Sequence, residues 1–567
     1  MFVWRAFYGF DASDESSYVA AAYSLLTGSD LFVDCWDVHQ TSSFLLAPLV
    51  WVYTSVVGGT VGILLFMRIA YALLSFLLAL ALFLSLVSRS SSRETTLWAL
   101  AAAALIQFGA PAGIHTLSYN TIAILCLAAS VLFVSKGHGR FAKFRIYASG
   151  LCSGLAVMSY PFMAFALLPL AGAMISCSKK IRDLRLVEAG IIWVAGGVTI
   201  PVVFIIVLFV QNAPDVVVAN IGNVFTDPEH GDSGSVAKIL NYFTDALLQM
   251  GPCVVIALGV SACLACLSRF SRLKPFAQSL VRAMLLLFVA AGVLMWLFRV
   301  LVSGRADITQ PGLVVFGVAL LLQPLVVAWW HGPSWPFWLD LVGFSASLGC
   351  QVGSNVGFAL SSSFCILSLI GCFAYFSQIS DYRQYGALDP ACPSRWGKAV
   401  RTASVCLFLS LLVSFGVIAG GRVLSVYRDA PIEQLTCRID RGPAAGLFTT
   451  PQSCEWYNSC YEAITKYGQR AQSVFIGVLF PTGYLMLDAE VYAPRVWRTA
   501  LNASDLESWY LKHPDERPDL IFVKDGTYWQ YDRFPAGEFC ASLKSVIEKG
   551  GYEKIETPGG TIYRKMN

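Results

Sequence analysis

Charged residues are scarce in this sequence. Only 13% of its 567 residues are Asp, Glu, Lys or Arg, whereas soluble domains carry about 25%. Hydrophobic residues make up 56% of the chain, and the mean hydropathy is +0.61. A chain this poor in charge has too few polar residues to cover a water-facing surface, which excludes the several soluble domains that its length would otherwise allow. The composition indicates a polytopic α-helical membrane protein.

The sequence also lacks a concentration of charge that would indicate a nucleic-acid partner. Its net charge of +4 is small and forms no basic stripe, so we expect no nucleic-acid binding. Within the apolar blocks the only basic residues are Arg68 and Arg299, and Asp340 lies at an edge. Coupled transporters usually keep carboxylates or histidines near the membrane midplane. This scarcity argues against a non-enzymatic lipid or glycan transporter or flippase, which is the alternative function.

Long apolar runs predict the membrane spans, each of which needs about 20 residues. Candidate spans lie at 61–88, 97–112, 117–135, 187–210, 244–268, 283–303, 310–330, 337–350, 357–376 and 402–420. A further apolar stretch, 147–177, is interrupted at Tyr160-Pro161. Because proline frees a backbone acceptor in a helix, we expect two short helices that turn there. The pattern predicts about 11–13 transmembrane helices within residues 1–420.

The basic residues predict the orientation of these spans, since Lys and Arg concentrate in short cytoplasmic loops. The best arrangement places eighteen of them in such loops and only Arg5, Lys238 and Arg305 in outside loops of the membrane part. Residues 1–42, the 211–243 loop and everything after 420 would then be extracytoplasmic. The few residues before the first acidic segment are too short for a span. We therefore expect an upstream first helix, in preference to a short tail that translocates unaided.

The composition changes near the end of the chain. Residues 421–567 hold 17 of the 40 basic and 18 of the 36 acidic residues, which predicts an extracytoplasmic α/β domain. We expect strands at 446–450, 473–480 and 519–525, a hairpin at 552–565, and helices at 453–466 and 536–549. An oxidising compartment favours disulfides, and the candidates are Cys437, Cys454, Cys460 and Cys540. Zinc is the less favoured alternative because the spacings include no CxxC pair.

The first outside segment is unusually acidic. It contains six carboxylates, namely Asp11, Asp14, Glu15, Asp30, Asp34 and Asp37. An amphipathic helix is expected from Asp14 to Leu26, capped by Ser13. The acids could merely complement the helix dipole, but six are more than a cap requires. An adjacent Asp-Glu pair at a lipid–water boundary could serve as a general base or bind a hard cation.

A weaker cluster lies in the 211–243 loop. Asp227, Glu229, His230 and Asp232 are close together in the sequence, as in a metal or acceptor site. A solvated, turn-rich loop explains them as well.

The first outside segment resembles a known family. The similarity lies in Asp14-Glu15-x-x-Tyr18-x-Ala20, Leu26-x-Gly28-x-x-Leu31-Phe32-x-Asp34, His39-Gln40 and Pro48-Leu49. This run is similar to the first outer loop of GT-C glycosyltransferases of the protein O-mannosyltransferase and aminoarabinose-transferase type. Two other stretches are also similar, residues 117–121 and 159–162. The resemblance covers roughly 11–420 in architecture and is specific mainly in 11–49.

The resemblance implies an integral membrane glycosyltransferase with an extracytoplasmic site. It would take a sugar from a polyprenyl-phosphate carrier and pass it to a hydroxyl of a cell-envelope glycan, a lipid or a protein. Asp14 maps to the catalytic acidic residue with Glu15 beside it, and Asp11 is the substitute if the motif is misaligned. No cofactor is certain, and a divalent Mg or Mn ion is possible.

Further residues are candidate substrate contacts on this reading. Arg68, Arg299 or Arg305 would stabilise the phosphate charge that develops on the leaving group; the alternative for the first two is snorkelling to the membrane interface. The other candidates are His39, Tyr119, Asn120 and, in the glycine-containing turn 350–357, Asn355. The sequence departs from the family in two ways: members usually have a span before this loop, and aminoarabinose transferases have a lysine near the position of His39-Gln40.

The predicted topology can be tested with reporter fusions. A reporter that is active only outside the cytoplasm should be active when fused after residue 430 and inactive when fused within 383–398, because the positive-inside rule places these positions on opposite sides. The reverse pattern would overturn the orientation.

Overall fold

A computed structural model describes residues 2–566 except 89–91, 108, 136–140, 180–184, 225–234, 270–274, 303–311, 329–333, 355, 386–393, 478, 498–502 and 525–535. The fold is mostly helical. The helices before the C-terminal domain are α1 (Phe2–Arg5), α2 (Asp14–Ser24), α3 (Gln40–Val57), α4 (Ile63–Val87), α5 (Arg93–Gln107), α6 (Tyr119–Ser135), α7 (Ala142–Ser159), α8 (Leu167–Ser178), α9 (Leu186–Gln211), α10 (Pro214–Val224), α11 (Ser235–Arg269), α12 (Pro275–Val302), α13 (Gly312–Ala328), α14 (Trp335–Gly353), α15 (Phe358–Ser361), α16 (Ile366–Tyr385) and α17 (Ser394–Leu424).

The described part of the chain contains eight helical segments that are long and apolar enough to cross a membrane. They are Gln40–Val57, Ile63–Val87, Pro161–Ser178, Leu186–Gln211, Val236–Cys266, Leu280–Val302, Phe358–Gln378 and Thr402–Leu424. Two shorter apolar helices are Tyr119–Ser135 and Gly312–Val327. This architecture is that of a multi-pass membrane protein. The expected number was higher because the runs near 97–112, 147–160 and 337–350 form helices that are shorter or more polar than a span.

The helix α3 falls outside the expected spans, and its two ends show how it lies. Just before it, the Trp36 amide donates to the Pro494 carbonyl at 2.7 Å. Just after it, the Gly62 amide donates to the Gly442 carbonyl at 3.0 Å. Both ends therefore touch the same C-terminal domain, and one exposed side of the helix presents Trp51 and Val52.

A proline turn and a glycine contact organise the next helices. The chain turns at Pro161 through a short 3₁₀ segment, Pro161–Ala166, between α7 and α8, as the sequence predicted. Helices α7 and α9 pack closely because Gly150 and Gly154 face the backbone carbonyls of Trp193 and Gly197, where an added Cβ would collide. Close backbone approach at small residues is the usual way in which membrane helices associate.

The C-terminal domain begins after α17, which continues to Leu424, four residues beyond the expected boundary. Its elements are β1 (Cys437–Arg438), β2 (Phe448–Thr449), α18 (Pro451–Gly468), β3 (Ser473–Gly477), β4 (Glu490–Val491), α19 (Ala503–Lys512), β5 (Leu520–Lys524), α20 (Ala536–Gly550), β6 (Tyr552–Thr557) and β7 (Gly560–Lys565). The five-stranded sheet has the order β4-β3-β5-β7-β6. Strands β4, β3 and β5 are parallel, and β7 pairs antiparallel with both β5 and β6. The expected strands and helices are present. Strands β1 and β4 were missed because each has only two residues, and helix α19 was missed as well.

This domain packs directly on the first residues of the chain, residues 2–39, hereafter the N-terminal segment. The Gly9 amide donates to the Phe448 carbonyl, and the Phe448 amide donates to the Phe7 carbonyl, both at 2.7 Å. Gly9 has φ +92°, and a Cβ there would overlap Val426, so the contact needs glycine. Farther along, the Thr482 hydroxyl donates to the Ala12 carbonyl at 3.0 Å. Residues more than 400 positions apart thus form one structural unit.

The cysteines of the domain behave differently from one another. Cys437 and Cys454 form a disulfide that joins β1 to α18. Cys460 is a free, buried thiol, and its sulfur lies 3.4 Å from the Gly559 carbonyl oxygen. The expectation that Cys460 forms a disulfide is wrong, because it lies on the face of α18 that packs against the sheet. Cys540 lies on α20, and its side chain is outside the described part of the structure.

Thiol labelling of the denatured protein should distinguish these cysteines. Without reductant, Cys437 and Cys454 should stay unmodified, because their sulfurs are bonded to each other, whereas Cys460 should be labelled. Peptide mass spectrometry reads each site. Modification of Cys437 and Cys454 before reduction would contradict the assignment.

Candidate functional site

The acidic motif of the sequence forms the start of α2, which is buried along all eleven residues. Its serines and alanines are small enough to let it fit between α3 and the 3₁₀ segment Pro481–Met486. Ser13 was expected to cap this helix, but its side chain makes no capping hydrogen bond. The Asp11 carboxylate instead accepts the amide hydrogens of Ser13 and Glu15, each at 3.0 Å. The helix start therefore fixes Asp11 in place, as N-terminal caps do.

Glu15 is held by Arg68 of α4. The Arg68 Nε donates to Glu15 Oε1 at 2.6 Å, and its Nη2 donates to Glu15 Oε2. The remaining guanidinium hydrogens reach the carbonyls of Ala6, Tyr8 and Gly9 at 2.9–3.1 Å. Arginine has five N–H donors, and all five are used. In this arrangement Arg68 is buried and has no N–H left for a donor phosphate among the described contacts.

Asp14 is held from the opposite end of the chain. Arg428 Nη1 donates to Asp14 Oδ1 at 2.7 Å and to the Ser13 hydroxyl at 3.1 Å. The Tyr427 hydroxyl donates to Asp14 Oδ2 at 2.7 Å. Burial and the nearby Asp14 charge raise the pKa of Tyr427 well above its usual value, so the phenol stays a donor. Both Asp14 oxygens are thus engaged by the first residues of the C-terminal domain.

Asp11 differs from its two neighbours. Burial, followed by the charge of Asp14, raises the pKa of the Asp11 carboxyl to about 7, against the opposing effects of Arg428 and two backbone amides. No side-chain hydrogen bond or ion pair neutralises Asp11 in the described residues. It is therefore the carboxylate of the motif that titrates in the range where general bases work best.

A small cavity of about 20 Å³ lies beside Asp11 and is partly open to solvent. Its lining comprises Arg5, Ala6, Tyr8, Asp11, Glu15, Arg68, Gly113, Ile114, His115, Val426 and Tyr427. The lining combines the N-terminal segment, the loop before α6 and the start of the C-terminal domain. Two carboxylates, two arginines and an imidazole therefore meet at one concave surface.

Arg5 is the cation of this cavity that is not occupied by a carboxylate in the described structure. Its guanidinium donates to the carbonyls of Arg422 and Tyr8. Burial, and then the charge of Arg68, lower the pKa of Arg5 to about 10, so it stays charged at neutral pH. Burial, with help from nearby arginines, also lowers the pKa of His115 well below its usual value, so this imidazole is neutral. The cavity thus offers one cation suited to an anionic group.

His39 and Tyr119 lie on a neighbouring aromatic cluster. The His39 ring stacks on Tyr119 with centroids 4.1 Å apart, and Tyr119 contacts Tyr18 of α2 edge-on at 5.5 Å. His39 Nδ1 is also 3.3 Å from Asp37 Oδ1. Burial raises the pKa of Asp37, but its hydrogen bonds and ion pair with His39 outweigh burial and hold that pKa below its ordinary value. Two of the expected substrate contacts are therefore brought together beside α2.

The remaining expected site residues are not gathered here. Arg299 is exposed on α12, and it does not line the cavity. Asn120 is half-buried at the start of α6. Arg305, Asn355 and the cluster at residues 227–232 lie outside the described residues.

Sequence reasoning missed four contributors to the site: Arg5 as a binding residue, His115, Tyr427 and Arg428. A usable signal existed for the last two. Tyr427-Arg428 come shortly after the last apolar run. The predicted topology places that end of the run on the same side of the membrane as the first acidic segment.

Comparison with known proteins gives no further guide: no protein-family model matches the chain, and no curated protein matches it significantly.

Replacing Arg68 should test whether its pair with Glu15 supports the fold. Arg68→Met leaves the Glu15 carboxylate buried without a partner, which typically costs about 3–5 kcal/mol of stability, so the melting temperature in detergent should fall markedly. Arg299→Met on the exposed side of α12 is the matched control and should change it little. The double variant Arg68→Met/Glu15→Leu should recover part of the loss. Equal shifts in both arginine variants would contradict the argument.

Proposed function

We propose that this protein is a membrane glycosyltransferase of the GT-C type that uses a polyprenyl-phosphate-linked sugar and a hydroxyl acceptor. The observation that carries the proposal is the cavity beside α2, where an unpaired carboxylate with a pKa near 7 and a buried arginine face the same space. A general base for the acceptor hydroxyl and positive charge beside the leaving phosphate both assist sugar transfer from a lipid phosphate. The family-like acidic motif supplies the carboxylates, and the cavity lies where the first residues of the chain meet the end of the membrane part.

Asp11 is assigned as the general base. Asp14 and Glu15 are each neutralised by an arginine, through Arg428 and Arg68 respectively. The oxygens of both carboxylates already accept hydrogen bonds from these arginines and from Tyr427, so they are not open to an acceptor hydroxyl. Asp11 accepts only backbone amides and has a pKa near neutrality, so its ionised form can accept a proton from an acceptor hydroxyl. Asp14 and Glu15 then act as positioning residues that hold the helix start.

Arg5 is assigned to the donor phosphate. In the transfer, the acceptor oxygen forms a bond to the anomeric carbon, the bond from that carbon to the phosphate oxygen breaks, and the hydroxyl proton moves to Asp11. The polyprenyl phosphate leaves with the bonding electrons, so charge develops on its oxygen. The planar guanidinium of Arg5 suits that phosphate. The role first assigned to Arg68 thereby moves to a neighbouring arginine.

The proposal needs no Mg or Mn ion beside the acidic motif. The Asp14 and Glu15 oxygens that would bind such an ion already accept hydrogen bonds from Arg68, Arg428 and Tyr427. Arginine supplies the positive charge that a divalent ion supplies elsewhere.

An aromatic cluster that could bind the sugar lies beside α2. The stacked rings of His39 and Tyr119 lie beside α2, and the Trp497 ring is 6.4 Å from His39. Aromatic faces of this kind pack against the apolar faces of sugar rings. We assign this aromatic cluster to sugar binding, with the C-terminal domain contributing Trp497.

Substitution of the two aspartates should separate the base from the positioning residue. Asp11→Asn should reduce sugar transfer by about 10² or more, the scale of losing a general base, with donor binding retained. Asp14→Asn keeps the shape of the side chain and should reduce transfer less. In the parent protein, transfer should rise with pH through about 7, because only the ionised Asp11 accepts a proton, and Asp11→Asn should lose that rise.

The assay is transfer of radiolabelled sugar from a synthetic polyprenyl-phosphate donor by the protein in detergent or nanodiscs. Asp440→Asn, an exposed carboxylate of the C-terminal domain, is the control. A larger loss in Asp14→Asn than in Asp11→Asn would move the base to Asp14. Failure of the parent protein to transfer any lipid-linked sugar would favour the transporter function.

A further inference from the structure

A second group of ionisable side chains joins the N-terminal segment to the C-terminal domain, away from the cavity. Asp34 belongs to the N-terminal segment, and His513 and Glu516 follow α19. One side-chain atom from each, the imidazole nitrogen and two carboxylate oxygens, all lie within 4.8 Å of one another. The distance from His513 Nε2 to Asp34 Oδ1 is 3.4 Å. All three side chains are half-buried.

The imidazole is oriented by contacts on its other side. His513 Nδ1 is 2.9 Å from the Trp509 carbonyl oxygen, and the ring stacks on the Trp509 indole with centroids 4.2 Å apart. A carbonyl only accepts, so Nδ1 carries the hydrogen. In the neutral ring Nε2 is then a lone pair that faces two carboxylates. Metal-binding histidines are oriented in this way, with the second nitrogen donating to a backbone carbonyl.

The carboxylates are also held in position. Asp34 Oδ2 accepts the Asp30 amide at 2.7 Å, which leaves Oδ1 facing His513. The Asp34 carbonyl accepts the Trp509 indole N–H at 2.9 Å, so the segment that carries Asp34 is fixed to α19, the helix that directly precedes His513. Glu490 adds a further negative charge: burial, Asp34 and Glu490 raise the pKa of Glu516, although His513 opposes them. Two carboxylates thus lie beside one imidazole, and a third acts on Glu516.

We propose that Asp34, His513 and Glu516 bind a divalent transition-metal ion, Zn²⁺ or Mn²⁺, which joins the N-terminal segment to the C-terminal domain. One imidazole and two carboxylates form a donor set that suits these ions, with water completing the coordination. The bound ion would neutralise the excess of carboxylates and occupy the lone pair of Nε2. This inference is independent of sugar transfer, because none of the three residues lines the cavity.

The rival explanation is a simple ion pair between protonated His513 and Asp34. Burial lowers the pKa of His513, but its contacts with Asp34 and Trp509 outweigh burial and raise it overall. An ion pair predicts a stability that does not respond to metal ions. A metal site predicts a stability that does.

The test uses the full-length protein in detergent after treatment with a chelator and its removal. Zn²⁺ and Mn²⁺ are added separately, with Mg²⁺ as the control ion, and binding is followed by calorimetry and by melting temperature. The parent protein should bind about one equivalent of Zn²⁺ or Mn²⁺ with a rise in melting temperature. His513→Gln and Glu516→Gln should each weaken binding at least tenfold, as expected on loss of a ligand, whereas Asp440→Asn should bind like the parent.

Loss of folding in a variant would not decide the question, so a spectroscopic measurement accompanies it. Co²⁺ added to the parent protein should give the visible absorption of a low-symmetry site with a nitrogen ligand, and Zn²⁺ should displace it. Absence of Zn²⁺, Mn²⁺ and Co²⁺ binding by the folded parent protein would overturn the proposal. So would binding that is unchanged in both folded variants.

Discussion

The buried contact between Arg68 and Glu15 is the interaction on which the rest of the site depends. Removing a guanidinium and a carboxylate from water costs several kcal/mol for each ion unless hydrogen bonds replace the water. Here the replacement is complete for the guanidinium, which reaches two carboxylate oxygens and three backbone carbonyls. Those carbonyls belong to residues 6, 8 and 9, so a side chain of α4 fixes the path of the chain up to Asp11. The position of the proposed base is a consequence of that pair.

The C-terminal domain completes the arrangement from the other side. Its first residues hold Asp14, and Asp429 accepts the Phe10 amide at 2.8 Å and the Thr449 hydroxyl at 2.7 Å. Burial raises the pKa of Asp429, although these hydrogen bonds oppose the effect. The C-terminal domain therefore contributes residues to the candidate site and is held against the N-terminal segment by these hydrogen bonds. This explains how a buried acidic helix can be stable although it lies at the edge of the membrane part.

The sequence predicts the local elements of the fold well, but it does not predict contacts between residues far apart in the chain. Apolar runs and the proline at residue 161 indicate helices and a turn because these depend on local properties, and the strands near 473 and 520 are visible as short buried runs. Helix α3 was missed because its mean hydropathy of 1.2 is the lowest of the eight apolar helical segments in the described part of the chain. The motif Asp14-Glu15 marked the right helix. The partner of each acid could not be found, since Arg68 is 53 residues from Glu15 and Arg428 is 414 residues from Asp14.

Two charged side chains near α2, Asp11 and Arg5, have no charged partner among the described contacts, and the proposed function rests on them. A fold selected only for stability would pair or remove every buried charge, because an uncompensated one is costly. Around α2 most charges are paired, but Asp11 has only backbone donors and Arg5 only backbone acceptors among the described contacts. These two face the same cavity and carry opposite charge, yet the fold uses neither to neutralise the other. Such residues mark functional sites, where groups are held ready for a ligand at some expense of stability. A ligand that presents an anion to Arg5 and a hydroxyl to Asp11 would satisfy both at once, and a sugar phosphate meeting its acceptor has this chemistry.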